Sequence, residues 1–289
     1  MTPEPRPLLA AGWMLGALIA FSTMAVAGRA VVPELDSFEL MMYRSFIGLG
    51  IMVALGVVFG KFGEVRFDNL RLHGLRNLGH FTGQNLWFTA LPLIPLAQLF
   101  ALEFTSPIWV VIFAVVFAGE KITRTRGLAV ALGFIGALIV ARPGLEGDTF
   151  GLMLAAASAI GFAISIVSTR VLTRTETIFG ILFWLTAMQA VFGLIGTGWD
   201  GDIAWPSLVV WPWVVLVGIA GLFAHMCLTN ALAVAPATIV TPMEFMRLPA
   251  IAIVGTLFYN EAINAWVLVG AMVIFAGNYL NIWAQTRKS

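Results

Sequence analysis

Charge is what this 289-residue chain has least of. Only 11% of its residues are Asp, Glu, Lys or Arg, and 60% are hydrophobic. A soluble domain of this length carries about 25% charged residues. So apolar a chain cannot cover itself with a hydrated surface, and its exterior must be lipid. The net charge of +1 leaves no basic footprint for nucleic acid. A single cysteine, Cys227, excludes an intrachain disulfide and leaves the redox compartment illegible. The three histidines, His73, His80 and His225, combine with Cys227 at no metal-ligand spacing. No Walker-type phosphate loop occurs either, so neither a metal nor another cofactor is expected. No loop is long enough for a soluble domain, which leaves enzyme chemistry little room outside the membrane.

Long apolar runs are what the chain has instead. A bilayer core about 30 Å thick needs roughly 20 apolar residues per helix. Runs of that order occupy 8–28, 37–59, 72–91, 96–118, 127–141, 150–172, 177–198, 209–232, 237–258 and 265–284. Gly and Pro punctuate most connections, as at Gly60-Lys61-Phe62-Gly63, Pro92 to Pro95, Pro143-Gly144, Asp200-Gly201-Asp202 and Pro236. The first run has Arg6 before it and Ala25-Val26-Ala27 near its end, like a secretory signal. It is long for one, and it has a counterpart in the second half, so a retained span is expected.

Basic residues orient the spans. With a cytoplasmic N-terminus, one face carries Arg6, Lys61, Arg66, Arg71, Arg76, Lys121, Arg124, Arg126, Arg170, Arg174, Arg287 and Lys288. The other carries only Arg29 and Arg142. Both termini are then cytoplasmic, which requires an even number of spans. Trp199, Trp205, Trp211 and Trp213 cluster at the outer end of spans seven and eight like an aromatic belt. Gly12/Gly16 and Gly56/Gly60 have close-packing spacing.

A shift of 141 residues aligns the two halves without gaps. Phe21 meets Phe162, Arg29 meets Arg170, and Ala90-Leu91 meets Ala231-Leu232. Pro95 meets Pro236, Glu103-Phe104 meets Glu244-Phe245, Glu120 meets Glu261, and Gly136 meets Gly277. Acids are scarce here, so glutamates matched at one constant shift weigh more than matched alanines. Five spans per half is an odd number, so the second half enters the membrane inverted. The fold expected is all-α and integral to the membrane: ten transmembrane helices in two inverted-topology five-helix repeats, 1–142 and 143–289. Such halves can exchange conformations and open a central site to each side in turn, which predicts a transporter of a small-molecule substrate.

Glu103-Phe104-Thr105-Ser106-Pro107-Ile108-Trp109 runs into Phe117-Ala118-Gly119-Glu120-Lys121, and a glycine-rich span follows, ending Ala141-Arg142-Pro143-Gly144. Pro242 to Pro249 and Asn260-Glu261 look like a second version, and Arg44-Ser45-Phe46 occupies span two. These stretches resemble EamA-type proteins of the drug/metabolite transporter superfamily, over essentially the whole chain. The resemblance implies ten helices in two inverted repeats around a central cavity. It implies structural work for Glu120 and Glu261 at helix ends. It fixes no substrate, since such proteins export or import amino acids, nucleosides, vitamins and other metabolites. Leu185 stands where Arg44 would be matched, a departure in span seven.

Ionisable groups at mid-membrane cost about 2.5–3.5 kcal/mol on insertion scales and are expected to face a cavity or a partner. Arg44, Glu103, Glu244 and Arg247 are the four. Glu244 and Arg247, spaced i, i+3, can pair along span nine, either structurally or as a pair that opens to bind a substrate's ammonium and carboxylate. Glu103 has no base within a turn of its own helix; it either carries a coupling proton or pairs with Arg44. Glu244 is a second candidate for proton coupling. Asn77, His80, Gln84 and Trp87 form a polar stripe on span three, read as cavity lining with interhelical hydrogen bonding as the alternative. His225 and Thr229 form a similar pair on span eight. Tyr43, Trp109 and Asn230 complete the substrate-binding candidates. The charges favour a zwitterionic or amino-acid-like solute; a flat heteroaromatic stacked on Trp87 or Trp109 is the alternative. A lipid-modifying enzyme would need polar groups clustered at an interface, and a scaffold or sensor would need no inverted repeat. The expected setting is the bacterial inner membrane, with the bilayer as partner; a homodimer is compatible with all of this.

Overall fold

A computed structural model describes residues 5–94, 96–116, 122–141, 148–199, 202–247, 250–251, 253–254, 257 and 265–286. All regular structure among them is helical. Helix α1 (Pro7–Val31) starts on a proline, whose fixed φ suits a first turn and whose missing N–H is not needed there. Helix α2 (Ser37–Phe59) opens with a capping box, in which the Asp36 carboxylate accepts from Glu39 N and Glu39 from Asp36 N. It stops at Gly60, whose φ of 64° is a left-handed conformation that glycine adopts freely. A short 3₁₀ turn, Lys61–Glu64, leads to α3 (Leu70–Ala90). Then come α4 (Leu96–Glu103), α5 (Ser106–Val116), α6 (Arg124–Ala141) and α7 (Thr149–Leu172), the last capped by Asp148. Thr177 caps α8 (Ile178–Thr197); α9 (Trp211–Val234) again has a proline in its first turn. The chain continues through α10 (Ala237–Val240), a 3₁₀ turn at Thr241–Met246, and α11 (Ala265–Thr286).

The 141-residue offset reappears in the helix boundaries. Ser37 and Ile178, Leu70 and Trp211, Leu96 and Ala237, and Arg124 and Ala265 each begin an element, and each pair lies 141 residues apart. Packing follows the same rule. The closest associations are α1 with α9, α3 with α7, α2 with α8, and α6 with α11. Applying the offset converts the first of these pairs into the second and returns the other two to themselves. Every one of the four joins the first half to the second, so the two halves share one interior.

Five helices, α1, α2, α7, α8 and α9, are long and apolar enough to cross a bilayer. Helix α3 has the length but carries the polar stripe. The runs at 96–118 and 237–258, read above as unbroken spans, are interrupted: α4 stops at Glu103 and α5 restarts at Ser106, while α10 passes directly into its 3₁₀ turn. Pro107 and Pro242 sit in the first turns of the segments that restart, where a missing N–H is harmless and inside a continuous helix would not be. The expectations for Pro95, Glu120, Arg142, Pro249 and Glu261 fall outside the described residues.

Close packing engages one glycine of each pair singled out by spacing: a Cβ on Gly16 would stand 2.9 Å from Cys227 Sγ, and one on Gly56 2.7 Å from the Phe62 ring. A Cβ on Gly12 would meet nothing within 4 Å, and Gly60 is a helix stop. A tight backbone crossing lies between α3 and α7, where a Cβ on Gly161 would stand 2.6 Å from the carbonyl oxygen of Gly79 and 3.0 Å from Gly83 Cα. Ala220, Ala224 and Ala20 occupy the matched positions of α9 and α1, all buried. Small side chains let backbones approach where lipid supplies no hydrophobic drive between helices.

Candidate functional site

The two interrupted spans deliver opposite charges to the middle of the fold. Glu103 closes α4, and Arg247 follows the 3₁₀ turn. Their side chains form an ion pair, each about 11% exposed. The second carboxylate oxygen of Glu103 accepts from Trp87 Nε1 at 2.8 Å. Around Arg247, the rings of Phe21, Phe100 and Phe104 lie 5.2, 5.3 and 5.3 Å from the guanidinium carbon, a cation–π cage.

This corrects two expectations. Arg247 pairs with Glu103 of the first half, not with Glu244 one turn away, and Glu103 is neither unpaired nor bound to Arg44. A spacing along one helix cannot report a carboxylate supplied by another. Glu244 lies nearby on the same cavity wall.

Arg44 is buried, donates to the Gln84 side-chain oxygen, and lies against the sulfurs of Met41 and Met24 at 3.6 and 3.9 Å. Gly221 of α9 makes room for it, since a Cβ there would stand 3.2 Å from the guanidinium. Next along α3, His80 shares a 2.6 Å hydrogen bond with the Gln189 amide. Its ring meets that of His225 edge-on, centroids 4.4 Å apart, and His225 meets Phe21 at 5.6 Å. The buried His225 Nε2 has no partner among the described residues. Asn77, lower on the stripe, takes the interhelical role: it accepts from Arg76 at 2.8 Å and donates to the Trp184 carbonyl at 3.1 Å.

Seven of the candidate residues, His80, Gln84, Trp87, Glu103, His225, Glu244 and Arg247, line one cavity, beside Phe21, Phe100, Phe162, Ser106 and Ser165. Its volume is about 50 Å³, room for a few waters but not for a metabolite. Four candidates lie elsewhere, Arg44 among them, on a separate small cavity beside Gln189. Tyr43 donates to the Ala204 carbonyl at 2.8 Å and packs edge-on against Trp205 and Trp211, anchoring the connection between α8 and α9. Trp109 packs beside Phe113, centroids 6.2 Å apart. Asn230 bonds back to Met226 of its own helix at 2.8 Å. Sequence reading passed over Gln189, whose only signal was a lone amide in an apolar run, and Ser106, the residue matched to Arg247 by the offset.

Known proteins resemble the chain along nearly its full length. The EamA-like transporter family matches twice, over residues 8–142 and 149–283. The riboflavin transporter of Brucella anthropi is 32% identical over 92% of this chain and 96% of its own. The S-adenosylmethionine uptake transporter of Rickettsia bellii is 24% identical over 96% of this chain and 94% of its own. One crystal structure shares the fold at a TM-score of 0.80, with 18% identity, covering 97% of this chain and 98% of that one. Both named relatives are transporters rather than enzymes. With apolar helices of membrane-crossing length and a family match over both halves, the chain belongs to the EamA-like transporter family and is a multi-pass membrane transporter of small molecules.

Proposed function

We propose that the chain is a secondary transporter that carries a small polar metabolite, zwitterionic or amino-acid-like, across the bacterial inner membrane by alternating access. Its ten spans form two inverted repeats with both termini cytoplasmic. The observation that carries this reading is the Glu103–Arg247 pair, one charge from each half, on the wall of the shared cavity. Moving the halves apart at this point separates the pair, and leaving one buried charge without its partner costs about 3–5 kcal/mol. A solute with an ammonium for Glu103 and a carboxylate for Arg247 replaces both contacts at once. The empty protein is thereby held closed, and the right substrate releases it. Because Glu103 is already engaged by Arg247 and Trp87, Glu244 is the better carrier of a coupling proton.

A second reading has its own observation. Trp87, Phe100, Phe162, His80 and His225 give the cavity flat walls, which suit a heteroaromatic solute.

A thermal-stability screen of the purified protein separates the two, because a ligand that binds only the folded state raises its apparent stability. Amino acids, sulfonium and quaternary-amine compounds, nucleosides and flavins form the panel. A saturable shift with a zwitterion, lost in Arg247→Ala, is the expected result. A shift confined to flavins or nucleosides would move the substrate to the aromatic walls. For coupling, Glu244→Gln in proteoliposomes should keep solute exchange but lose acceleration by an imposed pH gradient; unchanged acceleration removes Glu244 from that role.

A further inference from the structure

A groove on the flank of the molecule is far roomier than the charged cavity. It lies between α2, α8 and α9, with a volume of about 490 Å³ against about 50 Å³ at the centre. Met52, Leu55, Leu182, Ile219 and Leu222 represent its walls, which are apolar except at one end. That end carries Lys61 and Asn230. Water gains nothing from such walls, and an empty groove would strip its lining atoms of contacts. A metabolite of the kind proposed above would find no polar partners along it.

The dimensions point to an occupant. From Ile51 to the end of the helix at Phe59 the groove follows α2 for eight residue steps, about 12 Å at 1.5 Å per residue. With the turn to Lys61 added, that approaches half of a hydrocarbon core about 30 Å thick, the depth of one leaflet. Its polar end lies on the face to which the basic residues assign the cytoplasm. Lys61 reaches outward there, 44% exposed, with Glu64 at 3.2 Å as its ion-pair partner among the described residues. Arg66 on the same connection and Arg71 in the first turn of α3 are both exposed. Basic side chains at this level attract anionic headgroups.

We propose that this groove binds one phospholipid of the inner leaflet, with an acyl chain along α2, α8 and α9 and an anionic headgroup at Lys61. The bound lipid completes the packing that the three helices leave open, and it is distinct from the exchanging lipid around the rest of the surface.

Native mass spectrometry of the full-length protein in mild detergent tests this, with phosphatidylglycerol and phosphatidylcholine of identical acyl chains as probes. One tightly held phosphatidylglycerol per chain is expected, with weaker phosphatidylcholine binding. Lys61→Ala should narrow that preference by about fivefold, the contribution of one lysine beside an anionic headgroup. Leu55→Trp and Ile219→Trp, from rims 39% and 48% exposed, should fill the groove and abolish the bound copy. Ile195→Trp, at an exposed site outside the groove, should retain it, and unfolding temperatures in lipid-free detergent identify any variant that misfolds. Several weak adducts without headgroup preference, or an adduct that survives both filling substitutions in folded protein, would overturn the proposal.

Discussion

Arg247→Ala should destabilise the folded protein by about 3–5 kcal/mol and abolish solute exchange in proteoliposomes. The stability loss comes from the partner left behind: Glu103 loses its counter-charge in a site about nine-tenths buried, with Trp87 Nε1 as its remaining donor among the described residues. Glu103→Gln should be harmful for the converse reason, stranding a guanidinium among three aromatic rings. The double variant Glu103→Gln/Arg247→Met carries neither charge and should recover much of the lost stability. The non-additivity measures the coupling between the two residues. Transport separates the two roles open to this pair. A double variant that is stable but inactive makes the pair part of the carrier's working cycle. A double variant that is stable and active reduces it to a device for holding two interrupted spans together.

Gly161→Val should be the most disruptive single change in the apolar part of the protein. The new Cβ would stand 2.6 Å from Gly79 O and 3.0 Å from both Gly83 Cα and Gly83 N. All three are backbone atoms, so no side-chain rotation relieves the clash, and α3 must move away from α7. Overpacking costs about 1–3 kcal/mol even where neighbours can adjust; here they cannot, so the loss should reach the top of that range or exceed it. Helix α3 also carries His80, Gln84 and Trp87 of the cavity wall, so substrate-induced stabilisation should disappear together with the monodisperse peak on size exclusion. Gly12→Val is the control. It faces open space and should be silent in both measurements.

How far the sequence reaches is clearest at particular residues. Hydropathy and the 141-residue offset located the elements closely enough that Leu96 and Ala237 begin matched segments in the structure. Scarcity of charge singled out Glu103, Arg247 and Glu244, and the structure gathers them on one cavity wall. The partnerships were not legible. Spacing within a helix says which side chains share a face, but nothing about which helix that face meets. Hence the Glu244–Arg247 pairing read from spacing gave way to Glu103–Arg247, and Arg44 turned out to address Gln84. Tyr43 and Asn230 have the composition of site residues, yet their hydrogen bonds go to a carbonyl of the α8–α9 connection and to their own helix. Polarity alone does not separate a group kept for a ligand from one that satisfies a neighbouring backbone. The interruptions of the fourth and ninth runs were marked by prolines, but a proline also occurs in continuous spans where neighbours satisfy the freed carbonyl.

The cross-paired helices also set an order of events during synthesis. Helix α1 has its main contact with α9 and α3 with α7, so the amino-terminal helices enter the bilayer long before their partners exist. About 180 residues separate the end of α1 from the start of α9, roughly 10–35 s of elongation at 5–20 residues per second. Hydrogen bonding within each helix keeps its backbone satisfied in lipid throughout. The side chains have no such provision: Glu103 is inserted while Arg247 is still unmade, and its carboxyl group has no counter-charge from Arg247 until the second half follows. A nascent chain stopped after α6 therefore exposes half of an interior to lipid, and membrane quality control is the first thing it meets.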